Sequence, residues 1–263
     1  MLKIGITETY EPSYDMRWTE NLKDINFIIT KNLTDELITN IVTLHRSGVK
    51  FLLHATCTGW GGEFLEPNVP SPESYKIQLE KLLKLGFPKS QIVLRTDPVI
   101  PSRAGFAKFV KVLRLMRDLE IKRVRLSVMD LYPHVYTRLL GRFGDAIETQ
   151  EIFEAYSLRP DGSSRYFNAK KYWFDKLDQL CAMPEFKNYE FESCGEKFDF
   201  LYIDKIGCVS EKDLNVFGLK RGDLCAGGNR LTCICLNKEQ IIPGGMSRGR
   251  CPNQCIYCYL RDR

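Results

Sequence analysis

The chain has 263 residues, 44% of them hydrophobic, enough for one large globular domain or two small ones around a buried core. No run approaches ~18 uninterrupted apolar residues, and the opening MLKIGITETY lacks the basic-then-apolar layout of a secretory signal. An ordinary membrane span is thereby excluded and a cytosolic protein with no membrane partner is expected, while a net charge of +5 permits an anionic partner such as a nucleic acid without requiring one.

The first two thirds alternate between short β-branched runs and longer stretches of helical period. KIGIT (3–7), INFIIT (25–30), KFLLHAT (50–56), QIVLRT (91–96) and RVRLSV (123–128) read as strands buried on both faces. Between them, residues 34–48, 71–86 and 105–120 carry apolar side chains three and four apart, with Thr34 and Ser71 as N-caps and Gly48 and Gly86 as stops. This alternation predicts an α/β fold with a parallel sheet or a partial, TIM-like (β/α) barrel over residues 1–185. Residues 186–263 lose the pattern and become rich in glycine and cysteine, as expected of a cofactor-holding extension packed on the barrel.

In such folds chemistry gathers at the carboxyl ends of the strands, where loops vary and strands hold their bases fixed. The exits here are polar: ITETYE, TKN, HATCTGWGGEFLEPN, then Arg95 and Asp97, then Ser127, Asp130 and Tyr132. Singly each has a plain reading as a turn or cap; together they describe a polar pocket at one face. Gly61 and Gly62 would let backbone pass close to a ligand, and Glu63 could receive an ammonium group, although a solvated loop explains a lone GGE as well.

Eight of the ten cysteines fall between Cys194 and Cys258, a stretch of 65 residues or about a quarter of the chain. In a reducing compartment they point to metal or catalysis before disulfides. Cys57, Cys181 and Cys225 read as packing residues. Cys251, Cys255 and Cys258 stand as C-x3-C-x2-C in RCPNQCIYCYLRDR. Packing suits this polar segment poorly, zinc needs a distant fourth ligand, and a C-x-x-C redox pair needs a helix for which few residues follow. A [4Fe-4S] cluster uses all three thiols and leaves one iron open.

The triplet, with Tyr257 just before the last cysteine, resembles the radical S-adenosylmethionine signature. Together with FIITKN, FLEPNVP, VLRTDPVI and SVMDLY, it makes the chain similar, from about residue 3 to its end, to the DUF1848 family, allied to DNA repair photolyases of the spore photoproduct lyase type. The resemblance implies a barrel permuted so that the cluster loop comes last. It also implies a [4Fe-4S] cluster on Cys251, Cys255 and Cys258 and reductive cleavage of S-adenosylmethionine (SAM). From their places at the strand exits, Gly61, Gly62, Glu63, Arg95, Asp97, Ser127 and Asp130, with Tyr257 of the signature, are then expected to be cofactor-binding residues, and an electron donor such as a flavodoxin or ferredoxin a partner. ITETYE departs from the family's usual Arg-rich first exit, so no roles are carried onto it. The family also shares cysteines resembling Cys194, Cys208, Cys233 and Cys235, which implies a second site for a [4Fe-4S] cluster or zinc; iron-sulfur is favoured because cluster loading is already required.

The kinship and the arginines near the triplet (Arg248, Arg250, Arg261, Arg263) suggest a nucleobase or nucleotide substrate, although the same arginines could simply neutralise an anionic cluster. The competing expectation is a non-catalytic protein, stabilised by zinc or iron-sulfur, that binds a ligand or nucleic acid.

Overall fold

The strand runs are largely buried, with helices covering one face and chain from the C-terminal third covering the other; in RVRLSV (123–128) Val124, Leu126 and Val128 point one way and Arg123, Arg125 and Ser127 the other. The computed structural model describes residues 1–158, 166–225, 234–242 and 251–261. The element order is β1 (Ile4–Ile6), β2 (Ile25–Thr30), α1 (Asp35–Arg46), β3 (Lys50–Thr56), α2 (Pro72–Lys84), β4 (Ile92–Val99), α3 (Arg103–Met116), β5 (Arg123–Val128) and α4 (Pro133–Phe143). Then come α5 (Ile147–Glu154), β6 (Tyr156–Ser157), β7 (Asn168–Ala169), α6 (Lys171–Cys181), β8 (Glu190–Ser193), β9 (Asp204–Lys205), α7 (Glu211–Asn215) and β10 (Glu239–Gln240).

Eight strands form one parallel sheet in the order β10-β1-β2-β3-β4-β5-β8-β9, and β6 and β7 form a separate antiparallel pair. Among the described residues the hydrogen-bonded ladder is open. Its last strands, β9 and β10, have two residues each and do not pair with one another there, so these residues form a large parallel α/β sheet; closure into a barrel is not shown. The C-terminal third supplies both ends of this sheet, β8 and β9 beside β5 and β10 beside β1.

The first two helices begin and end where their sequences signal. The Thr34 hydroxyl accepts from the Leu37 amide and the Ser71 hydroxyl from the Ser74 amide, while Gly48 and Gly86 turn left-handed at φ 95° and 91°. α3 starts two residues before the periodic stretch, capped by Ser102.

Side chains alternate across each strand, so the inner face can be read in levels. Ile6, Phe27 and Leu52 lie side by side, and the next level holds Ile29, His54 and Val93. Above them come Thr56, Arg95, Arg125 and Glu192. The face thus passes from apolar to ionic as it climbs toward the strand ends. Val209, Leu214, Leu224 and Leu236 close its apolar level, whereas α1 to α3 cover the outer face through residues such as Leu37, Leu79 and Phe109.

Arg125, 1% exposed, anchors the tail to the ionic level. It donates to Glu192 at 2.6 Å, Asp213 at 3.1 Å and the Cys208 carbonyl at 2.6 Å. Asp213 also accepts from the Ser210 amide at 2.7 Å, capping α7. Burial, then the Arg125 charge beside it, holds His54 well below its usual value, hence neutral. Among the described residues no helix is long and apolar enough to cross a membrane.

Candidate cofactor cavity and cysteine centres

The ends of β1 to β5 open into a cavity of about 350 Å³. Its floor includes Thr30, Thr56, Arg95, Asp97, Ser127 and Asp130, and its roof is the segment from Cys251 to Arg261. Cys251, Cys255 and Cys258 all line it, so the structure brings the triplet to the polar strand ends. On the floor, Arg95 Nε donates to Asp97 at 2.9 Å, and the other Asp97 oxygen accepts from the Ser127 hydroxyl. Burial, then the Asp97 charge, raises the Asp130 carboxyl to about 6. The adjoining Glu196 is raised to about 8, first by burial, although it accepts from the Val128 amide at 2.7 Å.

The roof is held by groups distant in sequence. Glu66, 1% exposed, receives the Lys31 ammonium at 2.5 Å, the Thr58 hydroxyl at 2.6 Å and the Tyr257 hydroxyl. Lys31 also donates to the Tyr257 oxygen at 2.6 Å. Burial alone would lower the Lys31 ammonium, but Glu66 and then Cys255 outweigh it and leave the group raised and charged. Tyr257 is therefore the pin of the triplet loop. Glu11, buried at the first strand exit, accepts from Asn253 Nδ2 at 3.0 Å and from the Lys31 amide at 2.9 Å. Asn68 Nδ2 donates to the Pro252 carbonyl at 2.8 Å, the Ile256 amide to the Leu65 carbonyl at 2.9 Å, and Arg138 to the Ile256 and Cys258 carbonyls. Burial pushes the Cys251 and Cys255 thiols up, so metal binding there would release protons.

Gly61, Gly62 and Glu63 do not line the cavity. A Cβ on Gly61 would lie 1.9 Å from the Pro70 carbonyl oxygen, so the close approach this glycine allows is to the chain itself. Gly62, at φ 78°, donates its amide to the Glu66 carbonyl at 3.0 Å. The two glycines thus fold the loop that delivers Glu66, while Glu63 points to the surface and pairs with Lys108 at 2.5 Å. The carboxylate that matters in HATCTGWGGEFLEPN is the second one. Glu11, Glu66, Lys31 and Asn253 were not singled out by sequence reasoning; their only signal was membership of strand-exit segments or of the triplet loop.

A second cysteine group lies beyond the ionic level. The Sγ atoms of Cys194, Cys208 and Cys235 all fall within 4.8 Å of one another, the only metal-suited group of three or more found among the described residues. Cys194 and Cys235 are 3.8 Å apart, and the Cys208 amide donates to Cys235 Sγ at 3.0 Å. Donation from Cys194 and Cys208 holds the Cys235 thiol well below its usual value. Cys233 lies outside the described residues, as do Arg248, Arg250 and Arg263. Cys57 and Cys181 are buried and their thiols raised, first by burial, which fits packing.

Three buried polar atoms on cavity-lining residues, Tyr10 Oη, Thr56 Oγ1 and Asn253 Oδ1, have no hydrogen-bond partner among the described residues. Buried polar atoms are seldom left unpaired, so the cavity offers bonding capacity to a polar ligand. The whole defines a class: a parallel α/β protein whose strand ends open on a polar cavity roofed by a cysteine-bearing loop. The chain belongs to the DUF1848 family, described as a domain of unknown function, whose model matches residues 7–260. No curated protein matches it.

Proposed function

We propose that the protein is a radical SAM enzyme. One observation carries this reading: three thiols in C-x3-C-x2-C spacing line one side of a cavity whose other side is built from polar strand ends. When bound, a [4Fe-4S] cluster and SAM supply the chemistry, a one-electron reductive cleavage to methionine and a 5′-deoxyadenosyl radical that takes hydrogen from a substrate. Cys251, Cys255 and Cys258 would be the cluster ligands, and their thiol sulfurs are not drawn together to the single-ion spacing reached by Cys194, Cys208 and Cys235. In this reading the open sheet is a partial barrel of the radical SAM kind, permuted so that its cluster loop follows the strands.

The chain's own residues position and exclude water. Lys31, Glu66 and Glu11 hold the roof, and Arg95, fixed by Asp97, presents a guanidinium to a carboxylate or phosphate. Tyr10, Thr56 and Asn253 offer the unpaired atoms that a nucleoside and an amino acid group would satisfy. An electron donor such as a flavodoxin or ferredoxin would reduce the cluster. A nucleobase or nucleotide, in DNA or free, altered by a lyase or isomerase type of reaction, is the substrate class we assign.

The test is anaerobic reconstitution with iron and sulfide, reduction, and addition of SAM. Wild type should release 5′-deoxyadenosine, and Cys255→Ala should release none. If reconstituted wild type holds no iron and releases none, the alternative stands: a metal-stabilised protein that binds a ligand or nucleic acid without catalysis.

A further inference from the structure

We propose that Cys194, Cys208 and Cys235 hold one tetrahedral zinc ion that clasps the two open edges of the sheet. The spacing decides between one ion and a cluster. A metal-sulfur bond of about 2.3 Å in tetrahedral geometry puts sulfurs about 3.8 Å apart. Cys194 and Cys235 stand 3.8 Å apart, and no pair in the group exceeds 4.8 Å. A cubane instead carries each thiolate on an outer corner, its own iron and sulfide core forcing the ligands farther apart. This spacing reverses the preference for a second [4Fe-4S] cluster drawn from the sequence, and three sulfurs at tetrahedral spacing suit zinc.

The place of the site in the fold gives it a task. Cys194 directly follows β8 and Cys208 follows β9 by three residues, at one edge of the sheet. Cys235 precedes β10 by four residues, at the opposite edge. Among the described residues the strand ladder does not join these edges, yet here the Leu236 amide donates to the Val209 carbonyl at 2.9 Å and the Cys208 amide to Cys235 Sγ. An ion shared by the three sulfurs would join the edges where strand pairing does not.

The geometry is prepared in advance. Gly207, at φ 88°, has no Cβ, and one there would sit 3.1 Å from Cys235 Sγ, so only glycine lets the two loops close up without crowding. The Cys208 carbonyl is fixed by Arg125, itself held by Glu192 and Asp213, both 0% exposed. Amides aimed at sulfur favour thiolate, the form a metal takes. The three sulfurs among the described residues leave one corner of the tetrahedron, which spectroscopy on the metal can read.

The clasp does not depend on the chemistry proposed for the cavity, and a variant separates them. Full-length protein is produced with both zinc and iron supplied, purified anaerobically, and its metals counted. The Cys251→Ala/Cys255→Ala/Cys258→Ala variant should keep about one zinc per chain, whereas Cys194→Ser and Cys235→Ser should each lose nearly all of it. Should the serine variants fail to fold, X-ray absorption at the zinc edge of wild type serves instead, with at least three sulfurs expected at about 2.3 Å. Retention of zinc by Cys194→Ser overturns the proposal. So does a triple-alanine variant that carries about four irons with sulfide, or a zinc shell of nitrogen and oxygen.

Discussion

The two cysteine groups differ in how the chain assembles them. Cys251, Cys255 and Cys258 are neighbours in sequence and lie along a cavity wall, whereas Cys194, Cys208 and Cys235 come from three segments and converge on one point. The first group owes its shape to a short loop and its position to distant polar contacts, chiefly Glu66, Lys31 and Glu11. The second owes its shape to the fold itself, because its sulfurs meet only if β8, β9 and β10 are in place. An open group suits a cofactor that must meet a substrate; a converged group suits an ion that only needs holding.

The sharpest way to break this contrast is through Arg125. Arg125→Met leaves Glu192 and Asp213 buried beside each other with Arg123 and, 3.9 Å from Glu192, Lys212 as counter-charges, and frees the Cys208 carbonyl. Removing one partner of a buried ionic group costs about 3–5 kcal/mol, so urea unfolding should show a loss of that order. Zinc at the proposed clasp should fall with it, while iron reconstituted on the proposed triplet site should persist in whatever fraction stays folded. Equal loss of both metals would show that the two groups form one cooperative unit.

Glu66 probes the other group. Glu66→Gln keeps the side chain's size but leaves the Lys31 ammonium, 17% exposed, without its carboxylate. The expected cost is about 1–3 kcal/mol in unfolding free energy. If the proposed cluster is reconstituted on the triplet, it should be lost faster on exposure to air, with zinc at the proposed clasp unchanged. A cluster lifetime equal to wild type would remove Glu66 and Tyr257 from the support of the roof.

How much of this was legible in the sequence follows the same division. β1 to β5 were readable because each is a short run rich in Ile, Val, Leu or Phe, and α1 and α2 because Thr34, Ser71, Gly48 and Gly86 act locally. β9 and β10 were not, since a pair of residues held only at a sheet edge leaves no periodic trace. The triplet was legible as spacing. Its support was not: Glu66 reaches Tyr257 across 191 positions, and nothing local marks it above Glu63, three residues earlier. Gly61 and Gly62 read from sequence as letting backbone pass close to a ligand; in the structure the group close to Gly61 is the Pro70 carbonyl, and a Cβ on Gly62 would meet nothing within 4 Å.

Acid groups beside the cavity give a milder test. Burial raises Glu196 from 4.5 to about 8 and Asp130 from 3.8 to about 6. A carboxyl raised in the folded state holds its proton better there than in the unfolded chain. Its contribution is complete below the unfolded value and is lost as pH rises through the folded one. Both groups therefore make the protein less stable as pH climbs from about 4 to 8, and above about 6 Glu196 carries the effect, with Asp97, Asp130 and Lys205 facing it. Glu196→Gln keeps an acceptor for the Val128 amide and should flatten the thermal midpoint between pH 6 and 8, a change of about a few degrees. An unchanged slope would show that solvent reaches Glu196 in the folded protein.

The smallest expected effect belongs to Glu63. Its side chain is 48% exposed and its partner is Lys108, on α3 and away from the cavity. An exposed pair of this kind contributes up to about 1 kcal/mol, so Glu63→Gln should leave stability, zinc content and iron content within that margin. Release of 5′-deoxyadenosine should match wild type. A GGE motif that received the SAM ammonium would behave otherwise, losing most of that release and weakening SAM binding while the fold stayed intact. Such a result would require the loop from Gly59 to Glu66 to turn toward the cavity when ligand binds, and Glu66 could not then remain on Lys31 and Tyr257. Glu63→Gln and Glu66→Gln measured together therefore show which carboxylate of this loop serves the roof.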